Sequence, residues 1–125
     1  MRLIEDFFHI KRLIDTENGF EAVMLTNPEH AIYKAHFPGN PITPGVCIIQ
    51  AAGELLENRL NRKLYLKIVK NVKFLSVIIP EEDKKIIYNF SNIVEDENSC
   101  KAQVVVNDET TVYAKISLIF NYVRL

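Results

Sequence analysis

His36-Phe37-Pro38-Gly39-Asn40-Pro41-Ile42-Thr43-Pro44-Gly45 is the stretch on which the reading of this chain turns. From His36 to Pro44 it holds three prolines and a glycine, so neither a regular helix nor a sheet strand can run through it. It reads as an ordered, non-repetitive loop. Thr43-Pro44 then reads as a helix start, because threonine accepts at the N-cap and proline suits the first helical position, where its missing N–H costs nothing. The helix is expected to continue from Val46 to about Leu60, and its first two turns are apolar nearly all round, the mark of a buried helix.

Working outward, the rest of the chain reads mostly as strands. Phe7 to Ile14 and Phe20 to Leu25 are expected as a hairpin, with Asn18-Gly19 as its turn signal. Asn27-Pro28-Glu29 leads into a short turn of helix near Ala31 to Lys34. After the long helix come Leu64 to Val69, Val72 to Ile79, Ile86 to Val94, Cys100 to Val106 and Thr111 to Val123, all rich in Val, Ile, Phe and Tyr. The short connections Pro80 to Lys85, Glu95 to Asn98 and Asn107 to Glu109 imply antiparallel pairing. In the last strand Val112, Ala114, Ile116, Leu118, Phe120 and Tyr122 alternate with Lys115, Ser117 and Asn121, which makes one face apolar. A sheet wrapped on one buried helix is an α+β design.

Composition sets outer bounds. A length of 125 residues suits one domain spanning 1–125, and 48% apolar with 25% charged residues is a soluble globular profile. A net charge of -1 offers no general attraction to nucleic acid or to an anionic membrane. The first residues carry acids early and resemble no secretory signal, so the expected location is cytoplasmic. Cys47 and Cys100 lack metal-ligand spacing and read as two buried thiols. His9 and His30 have no partner at meaningful spacing.

The quoted loop, read as His36-Phe37-Pro38-Gly39-x-Pro41-x-x-Pro44-Gly45-Val46, resembles the signature of the β-hydroxyacyl-[acyl-carrier-protein] dehydratases of fatty-acid synthesis. Asn27 to Tyr33 resembles the lead-in of that family, with Ala35 where a glycine usually precedes the histidine. Lys73-Phe74 and Val77-Ile78-Ile79-Pro80 resemble its strand before a Pro-Gly-Asp turn, here Pro80-Glu81-Glu82. Leu75 and Ser76 stand where the family often carries basic residues for its carrier protein. Lys67, Lys70 and Lys73 offer a local basic face, though alternating lysines commonly mark a solvated edge.

The resemblance implies a hot-dog fold, with a curved antiparallel sheet wrapped around one long buried helix. It also implies dehydration of (3R)-3-hydroxyacyl thioesters to trans-2-enoyl thioesters, without metal or organic cofactor. Such chemistry needs a base for the α-proton, an acid for the departing hydroxyl and donors for developing oxygen charge. By resemblance His36 is the base, and imidazole as a type titrates near neutral pH. Gly45 is the expected oxyanion donor, since an amide in the first helical turn lacks an intrahelical partner and the helix dipole favours negative charge there. Phe37, Val46 and Ile49 are candidates to line an acyl tunnel.

The family's acid is Glu or Asp fourteen residues after the histidine, on the partner subunit's helix; here that position is Gln50. One turn later, where the family commonly has glutamine, stands Glu54. Positions four apart share a helix face, so Glu54 is expected to lean over Gln50 and is a candidate for the missing acid. In the competing expectation Glu54 and Glu57 belong to the solvent side of the helix. The implied partners are an acyl carrier protein or CoA thioester and a second subunit, in a homodimer, a higher oligomer of dimers, or a heterodimer with a related dehydratase. A catalytically impaired thioester-binding subunit and a hot-dog acyl thioesterase are the alternative functions.

Overall fold

The computed structural model describes residues 2–36 and 38–124. In chain order the elements are β1 (Phe8–Thr16), β2 (Gly19–Thr26), α1 (Ala31–Ala35), α2 (Gly45–Leu60), β3 (Leu64–Phe74), β4 (Lys85–Glu95), β5 (Ser99–Asn107) and β6 (Val112–Tyr122). The strands make one six-stranded sheet in the order β1-β2-β4-β5-β6-β3, antiparallel at every pairing. This is the expected α+β hot-dog architecture.

The side-chain pattern explains why the sheet closes on α2. Along β5, Cys100, Ala102, Val104 and Val106 are buried on alternate positions, and along β6 Ala114, Ile116, Leu118, Phe120 and Tyr122 do the same. They share one core with Ile48, Ala51, Ala52, Leu55 and Leu56 of α2. Each fully buried Leu, Ile or Phe contributes about 1.5–3 kcal/mol relative to exposure. Small residues at 51 and 52 let the helix lie close to the sheet, and the buried Tyr88 hydroxyl donates to the Ile48 carbonyl at 3.0 Å. Asn61 ends the helix in the left-handed conformation (φ 54°), a common helix stop that asparagine tolerates.

Several expectations need correction. Leu64 to Val69 and Val72 to Ile79 are not two strands: β3 runs unbroken from Leu64 to Phe74, and residues 75–79 lie outside it. Its register slips between Leu66 and Ile68 and again between Val69 and Asn71, and these two bulges break the alternation that a sequence pattern relies on. The connection through Pro80 is no hairpin either, because β3 pairs with β6 and β4 with β2 and β5. The N-cap of α2 is Pro44, and Gly45 is its first residue. Thr43 instead spends its hydroxyl on Tyr33 Oη at 2.8 Å and its N–H on the Ile78 carbonyl at 2.9 Å. Gly19 is the first residue of β2, paired with Thr16, rather than a turn residue. A Cβ there would lie 2.0 Å from the Phe90 carbonyl oxygen, so close approach of β4 is what calls for glycine.

Candidate active site

Helix α2 presents a stripe of Val46, Ile49, Gln50, Gly53, Glu54 and Glu57 toward Leu64 and Leu66 of β3 and Phe120 of β6. Spacings of three and four residues put these positions on one helix face. Between helix and strands lies a cavity of about 430 Å³, lined by these residues and by Arg2. Gly53 keeps the wall thin, since a Cβ there would already come within 3.3 Å of the Phe120 ring.

Glu54 is 6% exposed and does not belong to a solvent face. Its Oε1 accepts the Leu3 and Ile4 amide hydrogens at 2.9 Å each, and Oε2 accepts Leu3 N–H and Gln50 Nε2–H, also at 2.9 Å. Arg2 Nη2 lies 3.8 Å from it. A carboxylate can only accept, so the Gln50 amide must turn its NH2 end toward Glu54. Glu57 is half-buried: Oε2 accepts Leu64 N–H at 2.8 Å, and Oε1 accepts from Arg2 at 3.4 Å. The expected leaning of Glu54 toward Gln50 is therefore present, together with backbone donors that no helical spacing announces.

His36 stands elsewhere. It is the C-cap of α1, its N–H donates to the Ile32 carbonyl at 2.9 Å, and its side chain is exposed and outside the lining of the cavity. Gly45, in the first turn of α2, lies under the Phe74 ring: a Cβ there would be 2.7 Å from Phe74 Cζ. Val46 is 72% exposed and Ile49 half-buried, both at the cavity wall. Phe37 lies outside the described residues. The protein thus brings Gln50, Glu54, Val46 and Ile49 together and leaves His36 apart from them within one chain.

The other polar candidates have structural partners. His30 caps α1, with Nδ1 accepting Ile32 N–H at 3.1 Å, and its ring meets Phe7 edge-on. His9 lies 3.0 Å from Glu5. Cys47 and Cys100 are both buried, and burial pushes both thiols up, that of Cys100 to about 11. Neither is a poised thiolate. Among the described residues no group of three or more His, Cys, Asp or Glu side chains converges as a metal site, and no helix is long and apolar enough to cross a membrane.

Sequence reasoning missed Arg2 and the cavity role of Glu57. Arg2 carries no motif, whereas Glu57, three residues beyond Glu54 on the same stripe, was legible from spacing. Leu66 of the cavity wall, Ile68, Val69 and Phe74 of the same strand β3, and Leu75, Val77 and Ile79 after it, are all exposed apolar side chains.

The family described as ApeI-like, ApeI dehydratase, matches residues 13–115. The 3-hydroxyacyl-[acyl-carrier-protein] dehydratase FabZ of Clostridium acetobutylicum is 30% identical over 117 residues, 86% of this chain and 83% of that protein. The same enzyme of Latilactobacillus sakei is 28% identical over 88% of this chain and 85% of its own. Among solved structures, an uncharacterised protein from Erwinia carotovora superposes with a TM-score of 0.63 at 15% identity, over 94% of this chain and 97% of that one. A hypothetical thioesterase from Streptococcus pneumoniae, solved with coenzyme A, superposes with a TM-score of 0.62 at 12% identity, over 93% and 85%. These structural likenesses speak for the fold alone.

Proposed function

The chain belongs to the ApeI-like family of dehydratases, and from that premise we propose that it removes water from 3-hydroxyacyl thioesters at a site completed by a second subunit. The observation that carries the reading is a division of labour. Gln50 and Glu54 line an apolar-walled cavity beside an uncovered sheet edge, while His36 stands exposed outside that cavity in its own chain. A second copy docking along β3 would bury the apolar band there and bring its His36 to the cavity. Carrier protein or CoA presents the thioester, and the setting is cytoplasmic.

The chemistry follows from the residue types. His36 of one copy takes the α-proton, and the electron pair of the broken C–H bond moves toward the thioester carbonyl. The Gly45 amide, at the positive end of α2, meets the charge that develops on that oxygen. The pair then returns as the carbon–carbon double bond while the 3-hydroxyl departs. Gln50 hydrogen-bonds the departing oxygen. An amide has no acidic proton to give, so the proton that completes the water is the one His36 has just acquired. Val46, Ile49 and Phe37 hold the acyl chain.

A test is direct. Enoyl absorbance is followed with a 3-hydroxyacyl thioester, and His36→Ala should abolish the signal; turnover indifferent to that change would remove the base assignment. The engagement of both Glu54 oxygens supports a second reading, a thioester-binding subunit whose active partner supplies the acid. In that case the chain alone is inactive and gains turnover when mixed with a related dehydratase. Free thiol released without enoyl product would instead identify a thioesterase.

A further inference from the structure

We infer that residues 2–4 form a strap closing one end of the acyl cavity, with Arg2 limiting the chain length admitted and Glu54 as the positioning residue; this rests on the acyl-thioester reading above. The strap is fixed from two sides. Its amides at Leu3 and Ile4 donate to Glu54, and its Leu3 carbonyl accepts the Phe7 and Phe8 N–H groups at 2.8 and 3.1 Å. The Leu3 side chain is fully buried in the core. Glu5, at φ 87°, turns the backbone so that residues 2–4 fold back over the helix.

Arg2 is held differently. Its guanidinium lies 3.4 Å from Glu57 and 3.8 Å from Glu54, and it stands between two hollows. On one side is the 430 Å³ cavity; on the other is a polar cleft of about 250 Å³ lined also by Glu57, Asn58, Asn61, Arg62 and Lys63. An acyl chain passing Val46, Ile49 and Gly53 meets the Arg2–Glu57 pair as a polar end wall. Methylenes gain by burial against apolar surface and gain nothing by displacing paired charges. This also accounts for a carboxylate at position 54. Two acceptor oxygens serve the strap's amides and the Gln50 NH2 together, where a glutamine's single oxygen would not.

The experiment measures equilibrium binding of saturated acyl-CoA thioesters, which lack the 3-hydroxyl and cannot react, over a series of chain lengths. The wild type should bind progressively tighter and then stop improving at a definite length. Arg2→Ala should move that limit to longer chains, with roughly fourfold tighter binding for each methylene newly admitted. Arg2→Lys should restore most of the original limit, and Glu54→Gln, by releasing the strap, should move it as Arg2→Ala does. A length profile in Arg2→Ala that superimposes on the wild type overturns the strap while leaving the acyl reading intact. Failure of the wild type to bind any chain length overturns both.

Discussion

At residue 50 the protein carries an amide where the proposed dehydration calls for an acid, and the nearby carboxyl of Glu54 accepts from two backbone amides and from Gln50 itself. To act as an acid Glu54 would have to release one of those donors. Gln50→Glu should therefore raise the rate of enoyl formation, by about 10²–10⁴, the usual worth of positioned acid catalysis. Steady-state kinetics of the variant check this, and a fall in rate would show that the native pair works as it stands. The exchange of residue types was legible from the family resemblance, and the leaning of Glu54 toward Gln50 from helical spacing. What Glu54 holds was not, because its partners Leu3 and Ile4 lie 51 and 50 positions away and carry no pattern.

Elements differ in how openly the sequence declares them. β5 and β6 were legible to within a residue or two, since their alternation is regular and each is buried on one face. β3 was read as two strands because its bulges shift the side-chain period twice. The turn between β5 and β6 offers a test at this scale. Asp108 accepts the Tyr113 hydroxyl and the Thr110 and Thr111 amide hydrogens, and these bonds hold its carboxyl down at about 2, the Tyr113 bond contributing most. An unfolded aspartate titrates near 3.9. Because the folded value is the lower one, the stabilisation is fully present above about pH 4 and is lost as pH falls toward about 2. Asp108→Asn should lower the unfolding midpoint at neutral pH and flatten its decline over that acid window. Denaturant titrations at stepped pH measure both.

Across the whole molecule, the sheet ends in an uncovered strand. β3 is the edge beside β6, and Leu66, Ile68 and Val69 on it are each more than a third exposed. A long apolar edge left open is a hazard for a monomer and a ready face for a second copy. Val69→Lys should convert the proposed dimer to a monomer in sedimentation experiments and remove enoyl formation in the same step. A monomeric wild type that still turns over substrate would end the two-subunit reading. The α+β plan was legible because the proline-rich loop, the apolar helix and the alternating strands all agree. The sheet order was not, since strands adjacent in sequence need not be adjacent in space once a crossover intervenes.

The tether at Leu3 has a practical corollary for anyone preparing the protein. Any purification handle fused ahead of residue 2 is joined next to Arg2 of the cavity lining, where it can pull the anchored amides off their carboxylate. Past Tyr122 the chain leaves β6 beside Lys63, and among the described residues none beyond Tyr122 lines that cavity. A handle belongs there.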